Sequence, residues 1–318
     1  MTRLGYQIPN FTYPDTDSAG LFEVIARQAV EAEESGFDTV LVMDHLYQLP
    51  LLGDPANDML ECYTLLAALA QRTSRVRLSS LVTGNTYRNP ALLAKIVTTL
   101  DVVSGGRAQL GIGAGWYELE HDALGFEFGT FTDRFEKLEE ALQIITGMLR
   151  GERPSLQGRW YAVRDAINSP APVGRIPIMI GGGGERKTLR MVAQYADESN
   201  IICAPEDIPR KLAALAAHCE RLGRDRSEIT VSYQTSVCIA PMREQAEREA
   251  DEAVARIPEL AVRRPGIICG SPDEVAAVYQ RIMATGVDGV TVNAPANGHI
   301  DGRVRLLGET LAPLIPSH

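Results

Sequence analysis

RNPALLAKIVTTLDVVSGGRAQLGIGAGW, residues 88–116, reads in one piece as a helix, a tight turn, a buried strand and a glycine-rich strand exit. Leu92, Leu93, Ile96, Val97, Leu100 and Val103 recur at helical spacing, and Pro90 stands where a first helical turn tolerates proline. Ser104-Gly105-Gly106 ends the helix, because glycine supplies a left-handed cap and lets the chain reverse within two residues. Ala108–Ile112 is too brief for a helix and is bounded by turn signals, as expected of a strand buried on both faces. A helix leading straight into such a strand is one unit of an alternating, parallel α/β architecture.

The same alternation extends in both directions. Strands are expected at Leu4–Ile8, Thr39–Met43, Val76–Leu81, Ala108–Ile112, Ile178–Ile180, Glu198–Ile202, Ile229–Ile239 and Gly289–Val292. Helical patterns fall near Ser18–Ser35, Cys62–Thr73, Ala91–Ser104, Thr132–Arg150, Glu185–Tyr195, Ile208–Leu222, Arg243–Ile257, Asp273–Thr285 and Arg303–Leu314. Eight βα units predict a (β/α)8 TIM barrel. Two stretches are longer than ordinary connections, about 115–131 and about 151–175, and LQGRWYAV within the second reads as a small hairpin. No linker or composition shift divides the 318 residues, so a single domain over 1–318 is expected.

Composition narrows the function classes. With 45% hydrophobic residues the chain can bury a sizeable core. A net charge of −10 with scattered basic residues argues against nucleic acid and anionic membrane as partners. No stretch approaches the roughly 20 apolar residues that span a bilayer. Five cysteines, far apart and without a CxxC pair, suit a reduced cytoplasm and neither a zinc site nor a disulfide framework.

In a barrel of this kind chemistry gathers where strands end, which filters the candidates. Asp44 and His45 emerge together from an apolar strand, and histidine is the side chain whose proton moves most readily near neutral pH. His45 is the candidate proton donor or acceptor, with Asp44 its orienter or a structural partner. Gly111, Gly113 and Gly115 alternate along the next strand exit, either relieving crowding in the barrel or letting a flat ligand approach the backbone. IMIGGGGERKTLRMVA, residues 178–193, puts Gly181, Gly182, Gly183 and Gly184 between a strand and a helix, a phosphate-favouring arrangement with Arg186, Lys187 and Arg190 beside it. It lacks the glycine before Lys-Thr that a Walker A loop needs, and GIGAGW lacks the spacing of a dinucleotide fingerprint. Thr83 and Asn85 are candidate polar wall residues around Gly84. Glu118, Glu120 and His121 read as a solvated loop cluster rather than a metal site, and no metal is expected. Met43, Met59 and Met179 read as packing residues.

Taken in order, LGYQIPNF, VMDHLYQLP (42–50), MLECYTLLAALA (59–70), SSLVTGNTYRNPALLAKIVTTLD (79–101), the SGGR and GIGAGW segments and WYELEHDALGF (116–126) resemble the bacterial luciferase-like superfamily of flavin and deazaflavin oxidoreductases. They are most similar to its coenzyme F420-dependent branch. The resemblance implies a luciferase-like TIM barrel that moves a hydride between F420 and a small organic substrate. It places His45 near the reactive ring, a non-proline cis peptide at Ser80-Leu81 behind the ring with Val82 following, and Cys62 and Tyr63 near the mouth. Gly113, Gly115 and Gly181–Gly184 would meet the ring and phosphate, and Leu46, Trp116, Tyr117 and Phe126 would form apolar substrate walls. In a related sugar-phosphate dehydrogenase the position of Trp116 holds a catalytic glutamate, so that substrate is not expected here. The family often dimerises through barrel helices, which makes a homodimer conceivable. An FMN-dependent monooxygenase on the same barrel, or a non-catalytic cofactor-binding protein, are the alternatives.

Overall fold

The computed structural model describes residues 1–315. Eight parallel strands, β1 (Leu4–Ile8), β2 (Thr39–Val42), β3 (Arg77–Ser80), β4 (Ala108–Gly113), β5 (Ile178–Gly181), β6 (Glu198–Ile201), β7 (Thr230–Ile239) and β8 (Gly289–Asn293), pair in sequence order, and β8 returns to β1. The (β/α)8 barrel expected from the alternation is the fold, with strand bounds within a residue or so of those read from the pattern.

The stretch that decides the fold is built as its residues dictate. Asn89 caps the helix Pro90–Ser104 by accepting from the backbone of Ala91 and Leu92, and Gly105 ends it with φ 70°. Leu93, Ala94, Val97 and Leu100 are buried against the barrel, whereas Leu92 and Val103 stay exposed: the packed stripe is narrower than the run of apolar residues. Arg107 then closes the barrel's N-terminal end by donating to the carbonyls of Ala70, Thr73, Val76 and Ser104.

Three elements depart from expectation. Glu118–Leu124, inside a stretch read as loop, is a short helix. Ile267–Gly270 is a ninth parallel strand that lies outside the closed barrel on the last four residues of β7. Short polar or four-residue segments carry too little periodicity to be read. The third departure follows β3: the non-proline cis peptide is Leu81–Val82, one bond beyond Ser80-Leu81, and Thr83–Gly84 then rejoins β4. The hairpin expected in LQGRWYAV is present, Leu156–Gln157 pairing with Ala162–Val163. Glu140 holds its turn by accepting from the backbone of Arg159, Trp160 and Tyr161.

The segment after β3 explains the glycines. A Cβ on Gly111 would lie 2.0 Å from the Ser80 carbonyl oxygen, so β3 and β4 touch there backbone to backbone. Gly113 and Gly181 make room on either side for the Val82 side chain, whose methyls would sit 3.1 Å and 2.8 Å from added Cβ atoms. No helix among the described residues is long and apolar enough to cross a membrane.

Candidate active site

At the C-terminal ends of the strands lies a cavity of about 500 Å³, within the range of roughly 300–1,000 Å³ usual for small-molecule sites. Its floor is a polar network: Gln234 and Asn293 both donate to Gln7, at 2.6 and 2.8 Å, and Ser236 donates to Asn293 at 2.7 Å. Leu81, Val82, Thr83, Gly84, Gly113, Ala114, Gly115, Gly181 and Gly182 form one wall. His45, Trp116, Leu49 and Leu52 also line the cavity.

His45 is fixed by a residue that the sequence hides. Its Nδ1 lies 2.9 Å from Glu120 Oε2, and the Tyr87 hydroxyl donates to the same oxygen. Glu120 Oε1 accepts from the backbone N–H of Leu46 and Tyr47, at 2.5 and 2.9 Å. Burial pushes the Glu120 carboxyl upward, but the bonds from His45, Tyr87 and Tyr47 outweigh it and hold the group below the usual carboxylate range. An ionised carboxylate at Nδ1 keeps a proton on that nitrogen, which leaves Nε2 as the ring's free acceptor.

The cluster read as solvated is therefore a correction. Glu120 and His121 are fully buried, and only Glu118 remains exposed. His121 bonds Thr86 through Nε2 and the Tyr117 carbonyl through Nδ1, so its two nitrogens and the Glu120 carboxylate serve separate partners rather than a metal. Sequence gave no means of separating Glu120 from Glu118, because its donors come from a loop some 75 residues away.

Asp44 does not touch His45. It takes both arms of Arg88, at 2.6 and 3.0 Å, and Arg88 reaches on to Glu61 at 2.6 Å. Burial raises the Asp44 carboxyl, and the guanidinium counteracts it. Asp44 is buried behind the cavity wall and holds the first turn after β2 to the start of the helix Pro90–Ser104. Replacing it with alanine leaves Arg88 with Glu61 as its one carboxylate partner, and a loss of about 3 kcal/mol, the low end for breaking a buried pair, is expected in urea unfolding. A loss under about 1 kcal/mol would match a mere surface pair instead.

The remaining candidates divide cleanly. Ser80 lies beneath the wall, donating to the Gly111 carbonyl at 2.7 Å, and its hydroxyl accepts from Thr83 at 3.0 Å. Tyr63 meets Thr83 at 2.5 Å, which ties the helix Cys62–Ala70 to the cavity, while Cys62 is buried. Asn85 is buried beside Tyr161 with no well-formed hydrogen bond on its amide. Tyr117 stacks on Trp116 at 5.2 Å, and both rings meet the His45 ring edge-on. Trp116 remains 59% exposed, a lid-like position over the mouth. Leu46 and Phe126 lie off the cavity: Leu46 contributes its backbone to Glu120, and Phe126 packs on Tyr87. Gly183 and Gly184 continue toward the helix Thr188–Tyr195, whose first residue lines the cavity. Lys187 sits over the rings of Phe131 and Phe135, and Arg190 pairs with Glu139.

Arg263 is a further lining residue that the sequence did not mark. Its side chain is half-buried, and its one polar partner among the described residues is the Ser236 hydroxyl at 3.5 Å. Burial lowers its pKa with no carboxylate to compensate. Together with Ile202 and Gln234 it also lines an adjoining cavity of about 820 Å³, which fills the gap where β7 leaves β6 and takes up Ile267–Gly270.

A sequence profile described as luciferase-like monooxygenase matches residues 2–285. An F420-dependent glucose-6-phosphate dehydrogenase of Microbacterium testaceum is 34% identical over 222 residues, 68% of this chain and 64% of that protein. F420-dependent glucose-6-phosphate dehydrogenase 1 of Rhodococcus jostii is 31% identical over 317 residues, 89% of this chain and 91% of that one. Among solved structures, an F420-dependent secondary alcohol dehydrogenase in complex with an F420-acetone adduct superposes with a TM-score of 0.82 at 19% identity, covering 99% of both chains, and so shares the fold.

Proposed function

The chain belongs to the luciferase-like monooxygenase family, and we propose that within it this protein is an oxidoreductase that transfers a hydride between coenzyme F420 and a small organic substrate. The observation that carries the reading is the His45–Glu120 pair at the cavity, a proton-handling group fixed beside a glycine-rich wall. Both glucose-6-phosphate dehydrogenases compared above are F420-dependent, which supports the choice of cofactor.

The residues present fit that cofactor. Gly113, Ala114, Gly115, Gly181 and Gly182 leave a flat stretch of wall on which Val82 is the protruding side chain, suited to a planar ring. Thr83 offers a hydroxyl beside it, and Gly182–Gly184 with Thr188 would hold the phosphate. When bound, F420 supplies the hydride donor or acceptor, and the protein supplies orientation and electrostatics. His45 Nε2 delivers or removes the proton that accompanies the hydride. Trp116 covers the mouth and limits water. Arg263, whose one polar partner among the described residues is the Ser236 hydroxyl, receives a carboxylate or phosphate from substrate or cofactor, since a half-buried guanidinium without an anion is costly.

Titration of the protein with F420 and with FMN, followed by fluorescence, tests the reading. F420 is expected to bind and FMN to bind far more weakly, and a subsequent screen of alcohols, enones, imines and quinones should return turnover. Tight FMN binding without F420 binding would instead support a flavin monooxygenase. F420 binding with no turnover across the screen would leave a cofactor-binding protein.

A further inference from the structure

Two of the five cysteines face each other across strands far from each other in sequence. Cys238 on β7 and Cys269 on the outer strand Ile267–Gly270 are direct partners in the parallel register. Neighbouring strands lie about 4.8 Å apart, inside the Cα separation of roughly 4.4–6.8 Å that a disulfide accepts. Cys269 packs against the buried cluster that holds Cys238. Side chains of registered residues leave the sheet on the same side, so bond formation needs little backbone movement.

Their surroundings differ. Cys238 is buried, with its thiol 3.2 Å from the Ala246 carbonyl. Cys269 is half-buried and lines a surface groove of about 460 Å³ together with Arg243 and Arg281. Arg264 donates to the Cys269 sulfur at 3.3 Å. The hydrogen bond from Cys238 does most to lower the Cys269 thiol, burial opposes it, and the Arg264 charge assists. Glu247 and Asp251, both paired with Arg264, oppose the lowering without reversing it. Its hydrogen bond to Cys269 and its burial push the Cys238 thiol up. A cysteine that accepts from an arginine in an accessible, arginine-lined groove is the setting of a reactive thiol, and a buried thiol in register beside it is the setting of a resolving one.

We propose that Cys269 and Cys238 form an oxidisable dithiol site, with a hydroperoxide as the oxidant. The Cys269 thiolate attacks the peroxide oxygen, which cleaves the O–O bond and yields Cys269 sulfenic acid and hydroxide or alkoxide. Cys238 sulfur then attacks Cys269 sulfur, its proton leaves with the sulfenic oxygen as water, and the Sγ–Sγ bond forms. Two thiols are oxidised by two electrons while the peroxide is reduced. Oxidation also changes one of the three acceptors of Arg264, the residue next to Arg263 in the wall of the active-site cavity.

The test is to expose the folded protein to hydrogen peroxide, block free thiols and analyse the digest by mass spectrometry. A peptide pair joined through Cys238 and Cys269, two hydrogens lighter and restored by dithiothreitol, is the expected result. Cys203, half-exposed but isolated and with a thiol raised by burial, is the internal control and should remain free at that dose. In Cys238→Ser, Cys269 should accumulate as sulfenic acid and be captured by dimedone; in Arg264→Gln, cross-linking should slow severalfold. The proposal is overturned if Cys269 stays alkylatable, if Cys203 is consumed first, or if the cross-links join separate chains. The wild-type measurement decides this even where a variant fails to fold.

Discussion

Glu120→Gln is expected to lower kcat by roughly 10²- to 10⁴-fold, the span usually contributed by positioned acid–base groups, while F420 affinity stays near wild type. The amide fills the same space, and its oxygen still accepts from the backbone of Leu46 and Tyr47. Its nitrogen, however, must face His45 Nδ1 as a donor, which moves the ring proton to Nε2 and inverts what His45 presents to the cavity. Glu118→Gln, two residues away and exposed, is the control and should change nothing. An unaltered kcat in the folded Gln variant would remove His45 from proton transfer. The pH dependence of stability follows from the same carboxylate. Because its folded value is depressed, its contribution is fully present above the unfolded value of about 4.3 and is lost as the pH falls through the folded value. The wild type should therefore show an acid-induced loosening of residues 45–47, followed by amide exchange, that the Gln variant lacks.

Gly111→Ala is expected to cost about 4 kcal/mol or more, or to prevent folding, because the new methyl would meet a backbone carbonyl rather than a side chain that can turn away. At 2.0 Å from the Ser80 oxygen, β3 and β4 would have to part where Ser80 also bonds the Gly111 carbonyl. Two neighbours set the scale. Gly113→Ala meets a Val82 methyl at 3.1 Å, which can give by a few tenths of an ångström. Gly105→Ala has open space around it and only φ 70° to overcome, about 1 kcal/mol. Urea midpoints should fall in the order 105, 113, 111. If Gly111→Ala were no less stable than Gly105→Ala, the close approach of the two strands would be disproved.

The barrel was legible because buried parallel strands are short apolar runs set between capped helices, and each piece of residues 88–116 obeys its own local rule. Asn89, Pro90 and Gly105 act where their chemistry says they should. What the sequence carried poorly was partnership across distance. Gly111, Gly113 and Gly115 could be seen as unusual but not assigned, and the space they leave is taken partly by Ser80, Val82 and Thr86, while Gly113 and Gly115 also face the cavity. Glu120 looked like its neighbour Glu118, and Asp44 looked like a companion of His45 because they are adjacent in the chain. Folding pairs Asp44 with Arg88 and gives His45 to Glu120. Arg263 carried no mark, since only the absence of an anion around it makes it notable.

The divergence of β7 from β6 has a consequence for the size of molecule the protein handles. Ile202, Gln234 and Arg263 are shared between two adjoining hollows, so these three side chains divide the His45 cavity from a second one on its flank. A molecule long enough to reach past Arg263 from His45 would meet the second hollow with its far end. Head and tail are then judged by different surfaces, so substrates should be sought by length as well as by functional group.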